Sequence, residues 1–440
     1  MNIKKVAAYT LGCKVNQYET EGVLSIFREK GYETVNFDEY ADVYVINTCT
    51  VTGMSDRKNR QIIRKAVRNN PEGIVVVMGC YSQVSADEVA EIPGVDIIIG
   101  TVDRNKIPEM VEHYIKTGKS IIDVKEGILR NNEFEEQSVN MMEGHTRAFV
   151  KIQDGCSQFC TYCIIPYARG PIRSRRLDSI IPEVEALVAK GYKEFVLTGI
   201  HLSSYGKEVD GNISLIDVVK AVAKVDGVCR VRLGSLEPMY FTQDVIESLA
   251  KEVKFCRHFH LSLQSGSAGV LERMNRCYTP EEYMEIVNLV YKNMPDASIT
   301  TDVMTGFPGE TEEEFIESIE FLQKVGFAKI HVFPYSKRKG TLAAEMKDQV
   351  SGEIKKKRTD KLLEIASKME QAHIQCFMDK TLDVLLEEPS TKHENHMEGY
   401  THNYIKVCVL AAKSQRGSIV SVKINGCFSD YCLGTVVAIE

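Results

Sequence analysis

The 440-residue sequence contains no apolar run approaching the ~20 residues that span a bilayer. Its start, MNIKKVAAYTLGCKV, opens with two lysines, but Thr10 and Lys14 interrupt any hydrophobic region, so no secretory signal is expected there. Low-complexity tracts and internal repeats are absent. An excess of positive charge is absent too: 54 Lys and Arg stand against 61 Asp and Glu, a net charge of −7. That balance excludes a polycation and confines any nucleic-acid contact to a local patch. A disulfide framework is not expected, because the thirteen cysteines are odd in number and cytosolic thiols are kept reduced. A cytoplasmic protein is the default expectation. Its 44% apolar and 26% charged residues are ordinary for a globular chain of two to four domains.

What is present is organised in blocks. Over residues 1–125, the β-rich runs KKVAAYT, ADVYVINT, GIVVVMG and VDIIIG alternate with helical stretches such as Glu19–Glu29 and Asp56–Arg68. Strands alternating with helices predict a parallel-sheet α/β domain. The polar segment 126–144 is expected to be a linker. Alternation resumes over 145–375 with six strand candidates, RAFVKIQ, KEFVLTG, VCRVRLGS, RHFHLSLQ, ASITTDVMTG and AKIHVFPY. Six such units suit a partial or complete barrel of parallel strands, closed by a long charged helix at Glu353–Gln371. Over 376–440 helices give way to TLDVLLEE, YIKVCVLA, GSIVSVKING and LGTVVAIE, which predict a small all-β barrel.

The cysteines then need a use. Cys229, Cys256, Cys277, Cys376 and Cys408 occur singly and read as small core residues. Cys156, Cys160 and Cys163 are different: they follow the first strand of the proposed barrel in the spacing Cys-x3-Cys-x2-Cys, with no fourth ligand nearby. That places them at the face where barrel chemistry resides. Iron–sulfur clusters are held by thiolates in tight local spacings, and three ligands leave one iron open. A zinc knuckle with a distant fourth ligand is the competing reading.

A second set of three is spread over the first domain. Cys13 follows KKVAAYT, Cys49 follows DVYVIN and Cys80 follows GIVVVM. In a parallel sheet, all strand carboxyl ends lie along one edge, where ligands bind. Three separate strands therefore deliver three thiols to that edge; three coincidental loop cysteines are the bland alternative.

The run DGCSQFCTYCIIPYARG, with Tyr162 before the last of its cysteines, resembles the hallmark of the radical S-adenosylmethionine superfamily. The resemblance implies a [4Fe-4S] cluster whose open iron binds S-adenosylmethionine, cleaved by one electron to methionine and a 5′-deoxyadenosyl radical. LTGIHLSSYG, LGSLEP, HLSLQSGS and TDVMTGFPGET lie at strand ends that surround the cofactor in related enzymes. They nominate Gln264, Ser267, Gly306 and Gly309 as cofactor-pocket residues.

Two cysteine triplets, one in an α/β domain and one in a barrel, followed by a small β-domain, are similar to the methylthiotransferase plan. The last domain looks like their substrate-binding TRAM domain. TLGCKVNQYETE resembles the MtaB-type branch, with Lys14, Val15 and Asn16 where relatives acting on isopentenyladenosine or on a ribosomal-protein aspartate carry other residues. The resemblance implies a second [4Fe-4S] cluster on Cys13, Cys49 and Cys80, and two S-adenosylmethionine molecules per turnover. One methylates a sulfur on that cluster and the other activates carbon 2 of the adenine of N6-threonylcarbamoyladenosine, beside the tRNA anticodon at position 37. A sulfur donor and a low-potential electron donor such as flavodoxin or ferredoxin are implied as partners, and no membrane.

For RNA, the sequence offers a run in which Arg147, Lys151, Arg169, Arg173, Arg175 and Arg176 face one acid, Asp154. Arg169, Arg173, Arg175 and Arg176 are the expected phosphate contacts. Arg57, Arg60, Arg64 and Arg68 share one helical face, which reads equally well as solvated surface. Tyr400, Tyr404 and Phe428 are candidates for stacking on bases. A non-catalytic RNA-binding protein with structural zinc is the alternative of a different class.

Overall fold

The computed structural model describes residues 4–209 and 213–439. The first block forms a six-stranded sheet with all neighbours parallel, in the order β2-β1-β3-β4-β5-β6. The strands are β1 (Lys5–Thr10), β2 (Glu33–Val35), β3 (Val43–Thr48), β4 (Ile74–Gly79), β5 (Ile97–Ile99) and β6 (Ile121–Asp123). Every residue of β3 and β4 is buried, because helices cover both faces of the sheet. The short β2 and β6 were not expected; three residues at a sheet border carry too little pattern to read. Helix α1 (Lys14–Glu29) follows β1. Helix α2 (Gly53–Asn69) follows β3, and its N-terminus is capped by the Thr52 side chain accepting from Ser55 N–H.

The segment 126–144 is not a free tether. Ile128, Val139 and Met142 are buried, and the Tyr18 hydroxyl donates to Gln137 O at 2.8 Å. Its polar composition hides three apolar anchors that pack between the first two domains.

The second block has β7 (Arg147–Lys151), β10 (Glu194–Thr198) and β11 (Arg230–Leu233) in one parallel sheet. A second sheet has β12 (Ser235–Leu236), β13 (His258–Leu261), β14 (Ser298–Thr305) and β15 (Lys329–Pro334). One chain run, broken only at Gly234, supplies β11 and β12, so the two sheets join into one curved wall. Among the described residues no ladder joins β7 to β15, so the barrel is partial. A two-residue antiparallel pair, β8 (Gln153–Asp154) with β9 (Arg173–Ser174), closes the loop after β7. The closing helix runs Gly352–Gln375.

The last block is a closed barrel, β16-β17-β18-β20-β19. Its strands are β16 (Thr381–Pro389), β17 (His396–Thr401), β18 (Lys406–Leu410), β19 (Ile419–Cys427) and β20 (Cys432–Ile439). Four strands were expected and there are five. The missed one, HMEGYT, lacks the β-branched run that marks the others; it pairs on both sides, with Gly399 against Leu386 and Val407.

This barrel docks at the amino ends of the central strands. Arg230 donates to Asp383 O (2.7 Å) and Tyr400 O (3.0 Å), and Arg232 donates to Thr401 O and His402 O (3.1 Å each). Glu194, fully buried, pairs with Arg232 at 2.7 Å. Tyr404 stacks on His258 at 4.4 Å and lies under the Arg232 guanidinium at 4.9 Å. Tyr400 and Tyr404 are therefore spent on docking. Phe428 is exposed and stacked on Tyr431 at 4.7 Å. Among the described residues no helix is long and apolar enough to cross a membrane.

Candidate functional site

Register delivers the first triplet. Thr10 pairs with Asn47, and Thr48 with Gly79, so β1, β3 and β4 end along one line. Cys13, Cys49 and Cys80 follow those ends within three residues. Two glycines make the packing possible. Gly12 sits at φ +110°, and a Cβ there would fall 2.9 Å from Cys49 Cβ. Gly79 sits at φ +105°, and a Cβ would fall 2.5 Å from Asn47 Oδ1. Asn16, at the start of α1, ties the turns together by donating to Leu11 O (2.8 Å) and Thr48 O (3.1 Å). Buried Asn59 clasps the Cys49 backbone, donating to its carbonyl at 2.7 Å and accepting from its N–H at 3.3 Å.

The second triplet lies on the loop between β8 and the short helix Ile165–Arg169. Cys156 N–H donates to Gly170 O (3.0 Å), Cys163 N–H to Cys160 O (2.9 Å) and Thr161 N–H to Met274 O (3.1 Å). Phe159 takes a left-handed φ of +50°, a costly conformation for a non-glycine residue that the surrounding bonds enforce. The Tyr162 ring packs edge-on against Phe307 at 6.5 Å. Arg276 aims a guanidinium N–H at Cys160 Sγ (3.3 Å) while paired with Glu237 at 2.5 Å.

Burial pushes the Cys80 and Cys163 thiols up to about 12 and the Cys156 thiol up to about 11, and raises Cys49 as well. Within each triplet the neighbouring thiolates raise one another further, so the members sit close enough to interact. Thiols held this high are protonated near neutral pH, and a bound metal displaces the proton. Among the described residues no three His, Cys, Asp or Glu side chains converge tightly enough for a single ion. Three thiolates are a donor set that iron–sulfur clusters use.

A cavity of about 180 Å³ opens beside Cys163 and reaches the turn that follows Cys49. Val51 and Thr52, just beyond Cys49, line one side; Tyr162, Cys163 and Ile165 line another; Gln264, Asp302 and Met304 form the floor. Gln264 is held at φ +72°, and among the described residues its buried Oε1 has no hydrogen-bond partner. Ser267 is fully buried with an unpartnered hydroxyl. Gly306 and Gly309 do not line this cavity: Gly306 closes against Lys355, and Gly309 against Arg273. A larger cavity, about 500 Å³, lies by Leu177 and Tyr205 and contains no thiol.

The expected RNA patch is corrected by burial. Arg169 is fully buried, and Arg173 and Arg175 are buried too. Arg169 donates to Glu19 Oε1 (2.8 Å), Glu19 Oε2 (3.1 Å), Asp154 Oδ1 (3.0 Å), Asn16 Oδ1 (2.8 Å) and Cys80 Sγ (3.2 Å). Arg104 and Lys151 also pair with Glu19, and Lys151 and Arg173 with Asp154. Arg175 pairs with Glu183 at 2.9 Å and Glu136 at 2.7 Å. A local count of charge sees Asp154 but not Glu19 and Glu136, which arrive from distant segments, nor Glu183 just beyond the run. Arg176 alone of the four is exposed, beside Asp178 at 2.7 Å. The buried network joins the first domain to the second, and Arg169 touches a thiol of the first triplet from the end of the short helix that follows the second. Of the single cysteines, Cys256 and Cys408 are buried, but Cys229, Cys277 and Cys376 are exposed.

Residues 5–100 match the model of Uncharacterized protein family UPF0004, and residues 150–322 that of the Radical SAM superfamily. The chain is 45% identical to Threonylcarbamoyladenosine tRNA methylthiotransferase MtaB of Bacillus subtilis (strain 168), over 95% of this chain and 93% of that one. It is 42% identical to MtaB of Aquifex aeolicus, over 92% and 96%. It is 36% identical to tRNA-2-methylthio-N(6)-dimethylallyladenosine synthase of Clostridium tetani, over 94% and 92%. Among solved structures, the radical S-adenosylmethionine methyltransferase TsrM from Kitasatospora setae shares the fold at TM-score 0.57 and 16% identity, covering 78% of this chain and 74% of that one. The chain belongs to the radical S-adenosylmethionine methylthiotransferase family, in its MtaB-type branch.

Proposed function

We propose that this protein methylthiolates carbon 2 of N6-threonylcarbamoyladenosine at position 37 of cytoplasmic tRNA. The observation that carries the reading is the cavity that meets Cys163 of one triplet on one side and Val51 and Thr52, just past Cys49 of the other triplet, on another. Cys156, Cys160 and Cys163 would hold one [4Fe-4S] cluster, and Cys13, Cys49 and Cys80 a second. Loaded with S-adenosylmethionine, two molecules per turnover, these centres supply the radical chemistry and the methylthio group.

The chain's own residues position and shield. Gln264 lines the cavity and carries a buried amide oxygen with no partner among the described residues, an acceptor suited to the cofactor's ammonium or ribose hydroxyls. Tyr162, Met304 and Phe333 wall the space with apolar surface that excludes water. Val51 and Thr52 bring the side of the first triplet to the same space. Arg169 and Arg276 each give an N–H to one thiol of a triplet, and hydrogen bonds to cluster sulfurs tune such centres. A low-potential reductant such as flavodoxin or ferredoxin and a sulfur donor complete the system. The greater identity to MtaB proteins, 45% against 36%, supports the threonylcarbamoyl substrate over the dimethylallyl one.

Nucleoside mass spectrometry of tRNA from cells lacking the protein tests the reading. Loss of the 2-methylthio mark with accumulation of N6-threonylcarbamoyladenosine is expected. An unchanged mark, or loss from dimethylallyl-adenosine instead, overturns it.

A further inference from the structure

Residues 51–68 carry six cations, Arg57, Lys58, Arg60, Arg64, Lys65 and Arg68, against one acid, Asp56. That acid is neutralised from another domain, because Arg338 pairs with Asp56 at 2.6 Å. Ser336 Oγ accepts from Gly53 N–H at 3.0 Å, which bolts the loop after β15 onto the start of α2. The bolted loop adds Lys337 and Lys339. Lys65 pairs with Asp38, and Arg60 donates to the Tyr81 hydroxyl. Arg57, Lys58, Arg64, Arg68, Lys337 and Lys339 are all exposed, and among the described residues none has an ion-pair or hydrogen-bond partner.

The strip begins at the cavity. Val51, Thr52 and Ser336 line it, and α2 starts one residue later. Val51 and Met54, 55% and 77% exposed, put apolar surface between the cavity and the first cations. Arg57, Arg64 and Arg68 are spaced 7 and 4 residues apart, hence on one face of α2, and span about 16 Å of its length. The rest of the chain is acidic on balance. The last barrel carries 6 Lys and Arg against 8 Asp and Glu over 376–440, and two of its tyrosines, Tyr400 and Tyr404, are half-buried and stacked at the docking interface.

We propose that the α2 face and the loop 336–342 form the RNA-binding surface, with the anticodon-stem phosphates along Arg57, Lys58, Arg64, Arg68, Lys337 and Lys339 and the target base turned past Val51 into the cavity. The inference rests on the tRNA reading above. A strip of unpaired cations that lengthens along a helix from the mouth of a base-sized cavity matches a polyanionic strand. An acidic protein, such as an electron carrier, would need a compact patch and no route into the cavity.

The test uses the full-length, cluster-loaded protein under anaerobic conditions and measures tRNA binding against salt. R57Q/K58Q/K337Q/K339Q removes four phosphate contacts. The slope of log K against log salt is expected to fall by about 0.7–0.9 per contact, and affinity near 0.1 M salt by more than tenfold. K356Q/K357Q on the helix Gly352–Gln375 is the control and should bind as the wild type does. Iron content and unfolding temperature report whether the variants are folded. An unchanged slope and affinity overturns the proposal. So does a variant that binds tRNA normally yet turns over only with dithionite and not with flavodoxin, which would make the strip a reductase dock. A wild-type protein that fails to bind tRNA at all instead removes the substrate reading itself.

Discussion

Replacing Arg169 with Met tests the junction that sets the two thiol triplets in register. The guanidinium is fully buried and makes five polar contacts, four of them to α1 or the β8 strand. Breaking a buried ion pair costs about 3–5 kcal/mol, because an uncompensated charge remains. Neither carboxylate is left bare here. Glu19 keeps Arg104 at 3.0 Å and Lys151 at 2.8 Å, and Asp154 keeps Lys151 at 2.7 Å. The lower end, about 3 kcal/mol, is therefore expected. A three-domain chain does not unfold in two states, so the assay must be local. Hydrogen exchange in α1 and in residues 153–174 should accelerate by roughly 100-fold, since each 1.4 kcal/mol is tenfold. The helix Gly352–Gln375 should be unaffected. R169K keeps the charge but loses the planar fork and should fall between. Protection in α1 within fivefold of wild type for R169M would refute the idea that this network holds the domains.

Other outcomes follow from the same geometry. Burial pushes Glu194 up, but Arg232, Arg147 and Arg230 outweigh it and hold the carboxyl down to about 2. A depressed carboxyl contributes stability above its ordinary value near 4.5 that is lost as pH falls toward 2, so the last barrel should undock below about pH 4, seen as faster exchange across residues 381–438. Tyr404→Ala should loosen the same interface by about 3 kcal/mol, read by exchange in β17, with no change in iron content. Cys160→Ala should abolish reductive cleavage of S-adenosylmethionine, measured as 5′-deoxyadenosine formed. Cys49→Ala should preserve that cleavage but stop methylthio transfer, and full product from it would remove the second centre. Iron analysis of the wild type should return about eight irons per chain, and one or two zincs would support a structural role instead.

The architecture was legible where periodicity is strong. The fully buried β3 and β4 announce themselves as apolar β-branched runs, and the equivalent positions of Cys13, Cys49 and Cys80 follow from parallel topology alone. What failed was whatever depends on distant partners. Arg169, Arg173 and Arg175 look like a phosphate patch because their neighbours in sequence carry one acid. Arg169 finds Glu19, 150 residues away, and Arg175 finds Glu136, 39 residues away, while Arg173 takes Asp154, the one acid of the run itself. The segment 126–144 reads as polar linker because Ile128 stands eleven residues from Val139 and the interval between them is mostly polar and charged. β17 fails for want of a β-branched run, and Tyr400 and Tyr404 could not be told from base-stacking residues without seeing His258 and Arg232 beneath them. Gln264 was found through motif resemblance; its unpaired oxygen and left-handed backbone are visible only in three dimensions.

Both domain interfaces are built on the same principle, and that has a consequence for how the molecule can move. Arg169 at one junction and Arg230 and Arg232 at the other are long, planar donors whose several hydrogen bonds reach two domains at once. Such contacts are directional: a small shift that an apolar interface would tolerate strands a buried charge. The central barrel is therefore held firmly to both neighbours, and substrate entry cannot rely on swinging whole domains apart at modest cost. The remaining freedom lies in the loop 335–342 and the start of α2, joined to each other mainly by Ser336 with Gly53 and by Arg338 with Asp56 and Thr50. Those are few contacts, part-exposed, at the mouth of the cavity. R338Q should accordingly raise exchange in residues 51–58 while leaving α1 protected; equal loss at both sites would mean that the domains separate as a unit after all.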